Sequence, residues 1–162
     1  MYRSLAGTPR DVVLLAGRVL LAYIMLMHSW KKIDAGLFDT ATVFSKFGIP
    51  LAIAAASFTI VVELVFSVSV ALGFRMVVPA GLMTFVMAGA IWFVHGRNGL
   101  FMADNGWALV GTIICATLAL MASGPGRFSL DTVFARQAER REIRAEHRAE
   151  QTRAIPRQTL FR

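Results

Sequence analysis

Four runs of the chain are apolar at nearly every position, and each approaches the roughly 20 residues that a helix needs to cross a hydrocarbon core. They cover about residues 11–30, 50–72, 76–95 and 107–123. Pro50 suits the first turn of the second run and Pro79 the first turn of the third, since a proline there removes no helical hydrogen bond. Gly124-Pro125-Gly126 ends the fourth. Between the first two runs, residues 31–48 alternate Leu37, Val43, Phe44 and Phe47 with Asp39 and Lys46. That pattern predicts a short amphipathic segment folded onto the helix ends. The expected architecture is all-α: a four-transmembrane-helix bundle followed by a charged C-terminal cytoplasmic helix. Its parts are an N-terminal segment 1–10, a membrane domain 11–126 and a tail 127–162.

The charge distribution sharpens this picture. Residues 49–126 hold only Glu63, Arg75, Arg97 and Asp104 as charged groups, whereas residues 127–162 hold nine arginines and five acids. A soluble fold of 162 residues needs polar faces throughout, and a mean hydropathy of +0.60 with so uneven a charge leaves none before the tail. The net charge of +7 raises the question of nucleic acid. Its basic excess sits at the ends of apolar runs and in the tail, where membrane proteins carry it, and no nucleic-acid-binding motif accompanies it. One cysteine excludes an intramolecular disulfide. Four spans place both termini on one side. Arg3, Arg10, Arg75 and the tail arginines outnumber Lys31, Lys32, Lys46 and Arg97 on the other, so the termini are expected in the cytoplasm. Trp30, Trp92 and Trp107 then share the outer interface.

Ionisable groups inside apolar spans are costly and each is a functional candidate. Arg18 lies roughly 10 Å in from Asp11, and Glu63 roughly 13 Å in from Leu72, at 1.5 Å per residue. Equal depth on consecutive helices predicts an Arg18–Glu63 ion pair, either a staple for helix register or an anchor for a ligand or proton. His28 and His95 come out roughly 25 Å and 28 Å from the cytoplasmic end, at one outer level. Interfacial histidines commonly bond to headgroups, water or a loop. The sharper possibility is a site formed by His28, His95 and Lys31 that receives a quinone headgroup, whose carbonyls need donors. Two histidines without a third ligand, with only Asp104 and Asn105 nearby in sequence, do not make a metal site.

Gly111, Cys115, Ala119 and Ser123 repeat every four residues along the fourth run, and Ala80, Thr84 and Ala88 along the third. Small residues at that spacing let helices approach closely, which makes Cys115 a packing residue. Phe85, Phe93 and Phe101 read as packing or lipid-facing side chains. In the tail, Ser129 and Asp131 are candidate caps for a helix to about Ala154, before Pro156. Arg136, Arg140, Arg144 and Arg148 form one row along it, and Glu142, Glu146 and Glu150 another. Like charges at i,i+4 repel. The basic row therefore suits anionic lipid or an acidic partner.

Taken together, Arg18 in the first span, Phe47-Gly48-Ile49-Pro50 leading into the second, Glu63 within it, the turn Gly73-Phe74-Arg75 and the ending Gly124-Pro125-Gly126-Arg127-Phe128-Ser129-Leu130-Asp131 resemble the DoxX family of small bacterial membrane proteins. The resemblance covers about residues 11–134, with that ending as its most specific piece. One departure is Ala108 after Gly106-Trp107, where the family pattern often has an acid. The resemblance implies a bacterial plasma-membrane protein near quinone chemistry, without supplying a catalytic residue. The first functional reading is a non-catalytic accessory subunit of a respiratory or quinone-linked oxidoreductase complex. The alternatives are a small quinone-dependent redox enzyme and a transporter of protons or small solutes built on the Arg18–Glu63 pair.

Overall fold

The computed structural model of the protein describes residues 7–154, without the side chains of residues 149 and 151–154. Met1–Ala6 and residues 155–162 lie outside it, and with them Arg3 and the expected stop at Pro156. Among the described residues there is helix and no strand. Helix α1 runs over Thr8–Ala35, α2 over Leu37–Lys46 and α3 over Ala52–Leu72. Helix α4 covers Val77–Ala90 and continues through a wide π turn, Ile91–His95, into a 3-10 turn at Gly96–Asn98. Helix α5 covers Ala108–Ser123 and α6 Leu130–Ala154.

Helix α1 outruns its expected boundary at both ends. Nothing in His28-Ser29-Trp30-Lys31-Lys32 breaks a helix, so α1 continues until Gly36, whose φ of 93° ends it. Lys32 is thereby the last-turn cation of a helix and not a loop residue. The amphipathic segment is α2, which buries Thr40 and Ala41 and packs on α3 and α1. Helix α3 begins two residues after Pro50, because Leu51 takes a left-handed conformation first.

Helix α1 packs on α3, α3 on α4, α4 on α5, and α5 returns to α1, so the four apolar helices close a ring with α2 laid across it. The inward faces follow helical spacing: Ala56, Thr59, Glu63, Phe66 and Val70 on α3, and Val110, Ile113, Thr117 and Leu120 on α5. The outward faces are equally apolar. Leu20, Tyr23, Val61, Val78, Phe85 and Trp92 are all exposed. A helix apolar all round belongs in lipid or in a larger core. Three of these helices, Thr8–Ala35, Ala52–Leu72 and Val77–Asn98, are long and apolar enough to cross a membrane, and Ala108–Ser123 is a shorter apolar helix.

The small-residue row of α5 faces away from the ring. Cys115 and Ala119 are exposed and Gly111 and Ser123 half-buried, while the bulkier row Val110, Ile113, Thr117 and Leu120 fills the interior. The row Gly111, Cys115, Ala119, Ser123 thus lies toward the outer side of α5. Of the row on α4, Ala80 is buried, Thr84 half-buried and Ala88 exposed. Helix α6 is exposed from Val133 through Arg148, with Arg136, Arg140 and Arg144 along it. Ser129 caps it as expected, its Oγ accepting the Thr132 N–H at 3.2 Å. Asp131 instead accepts the Arg75 backbone N–H at 3.0 and 3.2 Å, tying the tail to the α3–α4 turn.

Candidate functional site

The expected Arg18–Glu63 pair does not form. The Arg18 side chain is fully buried and donates only to backbone carbonyls. Its Nε donates to Val70 O at 2.8 Å and its Nη2 to Ala71 O at 2.8 Å, both at the C-terminal end of α3. Its Nη1 donates to Pro125 O at 2.6 Å and Phe128 O at 2.9 Å. The last carbonyls of a helix lack intrahelical partners and carry the negative end of its dipole, so a guanidinium fork is well suited to them. Gly73, at φ 64°, caps α3 beside it, and a Cβ there would lie 2.5 Å from Arg18 Nη2. Asp11 completes this end: it is buried, and it accepts the Arg127 backbone N–H at 3.1 Å. Arg10 Nη2 in turn donates to Ser123 O, capping α5.

Arg18 and Glu63 are not at one depth, because Asp11 is not level with Leu72. The antiparallel register is fixed by Arg18 against Val70 and Ala71 and by Ser29 Oγ donating to Ile60 O at 3.3 Å. Helix α1 therefore extends more than a turn beyond the end of α3. Glu63 falls opposite Met25 and Leu26, about 11 Å along α1 from Arg18.

Glu63 pairs instead with Lys32, whose Nζ lies 2.8 Å from each carboxylate oxygen. Glu63 is 2% exposed and Lys32 23%. The lysine stem lies back along α1, since Nζ also approaches His28 O at 3.4 Å. The signal for this pair was present in the sequence: with no breaker before Gly36, His28 and Lys32 stand one turn apart on one helix face.

This ion pair lies in the wall of a partly open cavity of about 510 Å³ lined by α1, α2, α3, α4 and α5. The wall is otherwise mostly apolar, with Phe44 and Phe47 from α2, Phe58 from α3, and Phe85 and Phe93 from the α4 segment. Phe58 and Phe85 meet edge to face at 6.5 Å. Phe85 and Phe93 border the cavity while remaining exposed, Phe85 also packing on Phe58, and Phe101 is exposed away from it.

His28 and His95 both line this cavity, so the structure brings together the two histidines singled out from the sequence. Lys31 does not join them. It is exposed on the neighbouring face of α1, and Lys32 holds the place assigned to it. His28 Nδ1 lies 2.8 Å from Ile24 O and His95 Nδ1 2.9 Å from Asn105 O. Because a carbonyl only accepts, each Nδ1 is the donor, which orients both rings. The π turn carries Phe93, Val94 and His95 to the wall. Its i→i+5 bond runs from Gly96 N–H to Ile91 O, and a Cβ at Gly96 would lie 2.7 Å from that oxygen. Such turns recur at functional sites because they re-aim side chains.

The arrangement is a pre-formed, mostly apolar chamber with a few convergent polar groups, the usual form of a small-molecule site. A family model, DoxX, matches residues 13–96, which include Arg18, His28, Lys32, Glu63 and His95. The Gly124–Asp131 ending, given most weight in the sequence, lies beyond the matched residues. No curated protein and no solved structure matches the chain. The match covers more than half of the sequence, and on it the chain belongs to the DoxX family.

Proposed function

We propose that this DoxX protein holds the headgroup of a quinone-class molecule in its cavity and serves as a subunit of a membrane oxidoreductase complex. The observation that carries the reading is the joining of an apolar, aromatic-walled chamber with the Lys32–Glu63 pair and two oriented histidines. A buried ion pair in a membrane protein is costly and is kept where it contacts a ligand or a pathway. A flat polar head fits among the ion pair and the histidines, and an isoprenoid-like tail fits the phenylalanines. The site residues are then His28, His95, Lys32 and Glu63, with Arg18 holding the opposite end of the bundle.

In this reading α1, α3, α4 and α5 all cross the membrane of a bacterial cell. The fourth crossing uses α5, about 24 Å long at 1.5 Å per residue, together with its flanking turns. Both termini lie in the cytoplasm, the membrane domain occupies residues 11–126, and the tail from residue 127 projects there. An accessory role is favoured by two exposed surfaces among the described residues: Cys115 and Ala119 of the Gly111, Cys115, Ala119, Ser123 row, and α6 over residues 135–147. The arginine row of α6 (Arg136, Arg140, Arg144 and Arg148) contacts an acidic partner or anionic lipid.

The test is extraction from native membranes in mild detergent, followed by analysis of both bound lipids and co-purifying proteins. The reading expects a quinone-class molecule near one per chain and at least one further membrane subunit. A homogeneous protein carrying neither would overturn it. A quinone-class molecule without other subunits would favour the second reading, a quinone-dependent enzyme acting by itself.

A further inference from the structure

The polar groups of the cavity differ in what they leave unused, and the difference bears on which oxidation state of a quinone-class molecule fits. This inference rests on the quinone-class reading of the cavity. A lysine ammonium has three N–H groups. Those of Lys32 are directed at the two oxygens of Glu63 and at His28 O, so its donors are spent within the protein. An ionised carboxylate has about four lone-pair sites and no donor. Lys32 takes one on each oxygen of Glu63, and the others remain. His28 and His95 spend their Nδ1 hydrogens on Ile24 O and Asn105 O, and an imidazole that donates through Nδ1 in its uncharged form has Nε2 as an acceptor. Thr59, also on the wall, has a hydroxyl that serves either way, and the exposed Asn105 amide carries both kinds of group.

We propose that the cavity selects a head that donates hydrogen bonds, the hydroquinone over its oxidised quinone. A quinone presents only carbonyl oxygens, and at Glu63 these would set lone pairs against a carboxylate with no hydrogen between them. The two hydroxyls of the hydroquinone match Glu63 and a histidine Nε2. A bond to an ionised acceptor is the stronger kind, and an unmatched buried acceptor costs its full desolvation.

The experiment uses the full chain in lipid nanodiscs under anaerobic conditions. Binding is measured for a short-tailed benzoquinone, for its hydroquinone, and for the dimethyl ether of that hydroquinone, which keeps the shape and loses both donors. The hydroquinone is expected to bind at least roughly tenfold more tightly than either of the others. In Glu63→Gln, whose amide can donate, that preference is expected to shrink or invert. Quinone binding equal to or tighter than hydroquinone overturns the selectivity and leaves the proposed function standing. Binding of none of the three overturns both. Equal binding of hydroquinone and ether shows that shape alone is read, and also overturns the selectivity.

Discussion

Lys32 Nζ lies 2.8 Å from both carboxylate oxygens of Glu63, although the two residues stand nearly two turns apart in the α1–α3 register. The lysine reaches inward from the outer end of α1 to a carboxylate that is 2% exposed, and the reach keeps both charges at the cavity wall. Lysines near helix ends ordinarily extend toward water. Here the buried carboxylate outweighs that preference, since a carboxylate left alone at that depth costs several kcal/mol.

Removing one member of the pair should therefore cost more than removing both. Lys32→Met is expected to destabilise the protein by about 3 kcal/mol, and Lys32→Met with Glu63→Leu to recover most of that loss. Thermal unfolding of the four corners of the cycle in one detergent measures the coupling. Additive losses would mean that the two side chains do not interact.

Arg18 makes a separate prediction. Lysine keeps its charge but offers a point ammonium where four carbonyls are spread around a planar fork. Arg18→Lys should cost about 2–4 kcal/mol, comparable to breaking a buried hydrogen-bonded charge. The charge swap Arg18→Glu with Glu63→Arg should be no better than its worse single member. Rescue by the swap would restore the direct ion pair that equal depth suggested.

Gly73 should be hard to replace. Its φ of 64° disfavours any side chain, and a Cβ would also come within 2.6 Å of Ser129 Cβ as well as touching Arg18. Gly73→Ala is expected to cost about 3 kcal/mol or more, from left-handed strain plus a forced shift of Arg18. Gly48→Ala, at φ 74° in open space, should cost only about 1–2 kcal/mol. Equal losses at the two positions, read by thermal unfolding, would refute the crowding at Arg18.

The small-residue row of α5 separates stability from assembly. Ala119 is exposed, so Ala119→Leu should leave the isolated chain within about 0.5 kcal/mol of the parent. In native membranes the same change should reduce recovery of the partner subunit several-fold. A variant that unfolds alone, or that assembles normally, would contradict the outward role of the row.

The helices were legible in the sequence because apolar runs and the punctuation at Pro79 and Gly124 act locally. His28 and His95 could be matched in level by counting residues, and they do share a wall. Partners across helices were less accessible. Depth counted from the end of a hydrophobic run fixes a register only if both helices end at one level, and α1 extends past α3. That offset moved Arg18 onto the carbonyls of Val70 and Ala71 and left Glu63 to Lys32. The step from Lys31 to Lys32 depended on one assumed boundary at Trp30. The π turn at Ile91–His95, which places His95, had no sequence signal beyond Gly96.

The central claim is that the chamber beside Lys32 and Glu63 receives a quinone-class headgroup. Photolabelling of the full chain in native membranes with an azido-quinone, with labelled peptides mapped by mass spectrometry, tests it most directly. The account predicts labels on the cavity wall, in α1 near His28 and Lys32 and in the segment Phe85–His95, suppressed by excess unlabelled quinone or hydroquinone. Labels spread over outward residues such as Val61 and Val78, unchanged by competitor, would contradict it.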